Sequence, residues 1–96
     1  MYKEYFDGIL GKVCEITGLS VGKVCKSNKE ECVDARYVVI AVASERLSDK
    51  QIAQASGWSV QLVSKAKSSF HNRCKFRWGL KDMYKKLCIF ASCEEQ

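Results

Sequence analysis

The sequence predicts a single all-α domain, a compact bundle of about five to six helices, and three observations carry that expectation. In four separate stretches the apolar residues recur at the i, i+3, i+4 spacing that lines one face of a helix. Proline is absent and glycine occurs only six times, a composition that leaves long helices unbroken and gives a turn-rich β fold little support. Serines suited to cap a helix precede three of the elements, at Ser20, Ser48 and Ser59. A chain of 96 residues holds one domain and is too short for two that each bury a core, which excludes most multi-domain enzymes. With 47% hydrophobic and 28% charged residues it is neither disordered nor fibrous in composition.

The first helix is expected from Tyr5 to Ile16, where Phe6, Ile9, Leu10, Val13 and Ile16 share one stripe before Thr17 and Gly18 end it. Ser20 caps a short second helix carrying Val21, Val24 and Cys25, and the polar residues from Lys26 to Glu31 read as a loop. The third helix spans Val33 to Arg46, with Asp34 near its start to complement the helix dipole. Tyr37, Ile40, Ala41 and Ser44 trace one of its faces, while Val38, Val39 and Val42 make it apolar almost all round. Those valines also suit a strand, but a run of about fourteen residues without a breaker favours a helix.

Ser48 opens the fourth helix through an S-x-x-Q capping box with Gln51, and Ile52, Ala53 and Ser56 lie on its inner face. Gly57 ends it in the left-handed conformation. Ser59 caps a fifth helix from about Val60 to Asn72, with Val63, Ala66 and Phe70 turned inward. A last, basic amphipathic helix is expected over about 75–90, with Phe76, Leu80, Met83, Tyr84, Leu87 and Cys88 on its apolar face. Gly79 weakens it by roughly 1 kcal/mol relative to alanine.

Residues 48–68 have the pattern of a helix-turn-helix. Ala53 is small where two helices cross closely, Gly57 makes the turn at positive φ four residues later, and Trp58 plugs the angle between the helices. Ser59 caps the second helix, and Val63 packs back under Ile52. The charge supports a polyanionic partner. Residues 61–86 carry eight basic side chains against the single acid Asp82, a net of +7, while the remainder has eight basic and ten acidic residues, a net of −2.

On that geometry Ser59, Val60, Gln61, Ser64, Lys65 and Ser68 project outward and are the expected base contacts: an amide for adenine, an apolar group for a thymine methyl, an ammonium for guanine. Lys26, Lys29, Lys50, Lys67, Arg73, Lys75 and Arg77 are the expected phosphate contacts. The alternative for Val60 and Leu62 is an apolar contact with a protein partner.

The six cysteines, Cys14, Cys25, Cys32, Cys74, Cys88 and Cys93, contain no Cys-x-x-Cys pair and read as small core hydrophobes with reduced thiols. No metal or other cofactor is expected. Nor is an enzyme: His71 is the only histidine, and no nucleophile stands with a base at motif spacing. No small-molecule substrate is evident. The longest apolar run, Val38 to Ala43, is far short of the ~20 residues of a membrane span, and the first residues lack a signal-peptide core, so the expected location is cytoplasmic, on the nucleoid if the chain binds DNA.

The run from Leu19 to Ala66, and more loosely from Phe6 to Leu87, resembles the C-terminal DNA-binding domain of the bacterial chromosomal replication initiator DnaA, of the Trp-repressor-like helix-turn-helix superfamily. Asp34-Ala35-Arg36-Tyr37-Val38-Val39-Ile40-Ala41-Val42-Ala43 is similar to that family's long central helix with its arginine, and Leu47 to Gly57 to the helix that enters the turn. The resemblance implies duplex DNA as the partner, the second motif helix in the major groove, and the loop before the long helix near the minor groove. Where the family carries Gly-Arg-Asp-His-Thr-Thr-Val, this chain has Gly57-Trp58-Ser59-Val60-Gln61-Leu62-Val63, so the initiator's target sequence is not implied. These residues hold no Gly-x-x-x-x-Gly-Lys-Ser/Thr phosphate loop either. Two functions are therefore expected of the scaffold: a small transcriptional or replication-associated DNA-binding regulator, or a protein-interaction module without DNA affinity.

Overall fold

The computed structural model describes residues 2–94, and the side chains of all of these except Trp78 and residues 92–94. Six helices follow one another: α1 Tyr2–Thr17, α2 Val21–Lys26, α3 Glu30–Ala43, α4 Asp49–Ser56, α5 Val60–Phe76 and α6 Trp78–Glu94. The described residues contain no strand.

The valine-rich segment is a helix, and its position explains its composition. α3 packs against α1, α2, α5 and α6, so beyond its first turn it has no solvated face to furnish with polar residues. Val38, Val39, Ile40, Val42 and Ala43 are completely buried. Around this axis Phe6, Ile9, Leu10 and Val13 of α1, Ile52 of α4, Val63 and Ala66 of α5, and Leu80, Leu87 and Ala91 of α6 complete one core.

Several boundaries differ from expectation. α3 starts and stops three residues earlier than Val33–Arg46: Glu30 and Glu31 occupy its first turn, where the dipole favours acids, and Ser44 to Leu47 leave the helix through a turn closed by Glu45 N–Val42 O and Leu47 N–Ala43 O bonds. The expected loop from Lys26 to Glu31 shrinks to residues 27–29. α5 continues four residues past Asn72 and only Arg77 separates it from α6. Phe76 accordingly ends α5 and is 81% exposed, outside the apolar face of the last helix. Ile16 and Val21 also lie further out than their helical phase suggests, at 36% and 50% exposure.

Gly57 has φ 83° and Gly18 φ 76°. A Cβ at Gly57 would meet no atom within 4 Å, and the same holds at Gly79, the second residue of α6, so backbone preference alone sets the outcome of substitution. Gly57→Ala is expected to cost about 1–2 kcal/mol, whereas Gly79→Ala, in the first turn where the full interior penalty of glycine does not apply, should gain about 0.5 kcal/mol. Urea midpoints of the two variants should move in opposite directions from that of the native chain.

Candidate nucleic-acid interface

The helix-turn-helix is closed by local hydrogen bonds. The Gln51 amide donates to Ser48 Oγ at 3.2 Å and the Ser48 amide to Gln51 Oε1 at 3.0 Å, the two halves of the capping box. Gly57 N donates to Ala53 O at 2.8 Å. Ser56 Oγ donates to Ile52 O at 2.7 Å and accepts from the Trp58 amide at 3.0 Å, a bond pair that carries the chain through the turn. Ser59 Oγ then accepts from the Leu62 amide at 3.1 Å and starts α5. Ile52, Val63 and Ala66 are fully buried, so the inner face of the motif is the one the spacing implies.

α1 braces the motif from behind. Tyr2 Oη donates to Gln54 Oε1 at 2.6 Å, and the Phe6 ring meets Trp58 edge-on with centroids 5.7 Å apart at 80°. Trp58 is half-buried, not enclosed, and its indole Nε1 donates to Cys25 O at 3.2 Å. That bond ties the end of α2, and with it Lys26, to the entrance of α5.

α5 is 17 residues long, about 25 Å, and contains no acidic residue. Gln61, Ser64, Lys65, Ser68, Asn72 and Lys75 fall within one stripe of its surface at i, i+3, i+4, i+7, i+11 and i+14, and all six are exposed. Of the expected base contacts, Gln61, Ser64, Lys65 and Ser68 therefore share one face. Ser59 also serves as the cap. The hydroxyl of Ser68 donates to Ser64 O and Lys65 O, both at 3.1 Å, and so offers an incoming group an acceptor. Asn72 was not among the expected contacts, although its spacing from Lys65 and Ser68 marks it in the sequence.

Val60, 41% exposed, and the half-buried Leu62 are two residues apart and so about 200° apart around the helix. They flank the polar stripe on opposite sides and form no continuous apolar patch.

The expected phosphate contacts divide. Lys75 stands exposed on the stripe, as does Lys65, which was expected as a base contact, and neither has an ion pair to any described residue. Lys67 lies at its edge, joined to Asp49 Oδ1 at 2.9 Å, with exposed Lys50 next in the chain on α4. Lys26 and Lys29 bracket the short α2–α3 connection and are exposed.

Arg73 and Arg77 are elsewhere. Their Nε atoms donate to the two oxygens of Asp34, each at 2.7 Å, while Arg77 Nη1 reaches Glu30 at 3.0 Å and the Arg73 guanidinium lies 4.8 Å from the centre of the Tyr37 ring. The bond to Asp34, with the nearby Glu30 carboxylate, holds the Arg77 guanidinium above its usual pKa against partial desolvation. Both arginines are thus spent on locking α5 to α3, and Asp34 answers them instead of the dipole of its own helix, since its carboxylate points across to α5.

Arg36, buried, donates from Nε to Val24 O at 2.8 Å and from Nη2 to Ser27 O at 2.7 Å. These are carbonyls at the C-terminal end of α2, which lack helical partners and carry the negative end of the dipole. This arginine holds the α2–α3 connection.

Cys14, Cys25, Cys32, Cys74 and Cys88 are free thiols, buried or half-buried, and Cys93 lies outside the described side chains. Burial pushes the thiols of Cys14, Cys25, Cys74 and Cys88 above their usual pKa, which leaves less thiolate for metal or redox chemistry. Among the described residues no three acidic, cysteine or histidine side chains converge in a way that could hold a metal ion, and no helix is long and apolar enough to cross a membrane. No protein-family model, curated protein or solved structure matches the chain.

Proposed function

We propose that the chain binds duplex DNA through α5, as a small transcriptional or replication-associated regulator. The observation that carries the reading is the outward stripe of α5, in which amides, hydroxyls and lysines follow one another on a helix without an acid, presented by a braced helix-turn-helix. Gln61, Ser64 and Asn72 supply the hydrogen-bonding groups that read base edges. Lys65 and Lys75, with Lys67, Lys50 and Lys26 around them, supply charge for phosphates. The resemblance to the initiator's DNA-binding domain favours the same docking, with α5 in the major groove. A protein contact through Val60 and Leu62 has less support, because the two side chains lie on opposite sides of the stripe.

The test is affinity for a random-sequence duplex as a function of salt. Log K should fall linearly with log salt, and the Lys65→Glu, Lys75→Glu variant should bind at least tenfold more weakly at low salt, with a slope shallower by about 1.8 for two lost phosphate contacts. Absence of binding at about 50 mM salt, where the electrostatic contribution is strong, or a variant indistinguishable from the native chain, refutes the assignment to α5.

A further inference from the structure

A cleft of about 530 Å³ opens where the end of α1 meets the start of α3 and the α5–α6 junction. Its volume is within the range of small-molecule sites. The walls are the apolar side chains of Ile16, Leu19, Phe76, Leu80 and Met83. Two of these are costly to leave in water: Phe76 is 81% exposed and Ile16 36%.

The polar groups in the cleft decide what it can hold. Thr17 Oγ1 already donates to Val13 O and accepts from the Leu19 amide. Asp34 has one arginine Nε on each oxygen, and the charge of Arg77 is met by Asp34 and Glu30. Glu31 remains. Its carboxylate is exposed on the cleft, and no described residue hydrogen-bonds or pairs with it. Among the described residues the cleft therefore combines an apolar wall, the exposed Phe76 ring, and the carboxylate of Glu31, which the dipole of α3 favours but no side chain pairs.

We propose that this cleft is a binding site for a small amphipathic amine, with an aryl or alkyl body against Phe76, Leu80 and Met83 and the ammonium at Glu31. The site does not depend on DNA binding, since none of the stripe residues of α5 lines it.

The test uses three probes that share one body, 3-phenylpropylamine, 3-phenylpropanol and 3-phenylpropionate, followed through the methyl resonances of Ile16, Leu19, Leu80 and Met83 in the intact chain. The amine should shift them saturably with a Kd on the order of 1 mM, as suits so small a ligand, and the carboxylate should bind at least about fivefold more weakly. Glu31→Gln should bring the amine to the level of the alcohol. Phe76→Ala, at an exposed position where folding is not at risk, should weaken all three probes. The proposal is overturned if the amine gives no saturable shift up to about 20 mM, well above the expected Kd, or if the amine and the carboxylate bind alike. A Glu31→Gln variant that keeps the amine's advantage also overturns it.

Discussion

Phe6→Ala should lower the free energy of unfolding by about 3–5 kcal/mol, out of the roughly 5–15 kcal/mol available to a domain of this size. Phe6 has no exposed surface, so its removal forfeits a full aromatic burial and leaves a cavity that α1 and α3, already packed on several sides, can fill only in part. The ring is also the edge-on partner of Trp58. A double-mutant cycle between Phe6→Leu and Trp58→Phe should therefore return a coupling of about 0.5–1.5 kcal/mol. Urea unfolding measures both quantities. Val21→Ala, at a position 50% exposed, is the control and should stay within about 0.5 kcal/mol of the native chain. A Phe6→Ala cost below about 1.5 kcal/mol, less than burial of the ring alone contributes, would place Phe6 outside the core and α1 loose against the helix-turn-helix.

The second large effect is at Asp34. Its side chain is 9% exposed and bonded to two arginines. Asp34→Asn keeps the shape but removes the charge that both guanidinium groups were arranged to meet. Breaking a buried ion pair costs about 3–5 kcal/mol when the remaining partner has no access to water. Here Arg73 and Arg77 are 28% and 36% exposed and can turn outward, so the expected loss is smaller, about 2–3 kcal/mol. Asp34→Glu, which keeps the charge, should recover part of it. If α5 is the DNA-binding element, the same substitution should raise non-specific DNA affinity several-fold at low salt while stability falls, because one negative charge behind the helix has gone. Stability and affinity moving in opposite directions separates this prediction from simple unfolding, which lowers both. An Asp34→Asn chain as stable as the native one would mean that the arginines contribute nothing to docking α5 on α3.

How much was legible in the sequence follows from the range of the forces concerned. The caps at Ser20, Ser48 and Ser59, the left-handed Gly57 and the inner face of Ile52, Val63 and Ala66 all involve neighbours within about one or two helical turns. Residue type and spacing settle them, and they stand in the structure where expected. The outward stripe of α5 is legible for the same reason, being the complement of its inward one.

The lysines and arginines were not separable in this way. Lys75 and Arg77 are two residues apart in a basic run, yet one is exposed on the stripe and the other is bonded to a carboxylate 43 residues away. Composition showed a net of +7 over residues 61–86, but it did not show that Arg73 and Arg77 are neutralised by a helix from the acidic half of the chain. Arg36 is similar: an arginine in a long helix is compatible with a DNA contact until the carbonyls of Val24 and Ser27 are found within 2.8 Å of it.

Capping, turn chemistry and the inner faces of α4 and α5 are properties of nearby residues and are legible in the chain, whereas the exposure of Phe76, Ile16 and Val21 is not. Which charges remain free for a partner, why Phe76 stands in the open on the cleft that Glu31 also lines, and where α1 braces the motif were decided only when α3 became the common axis. An ion pair forms between groups that are near in space, and packing around that axis sets those distances.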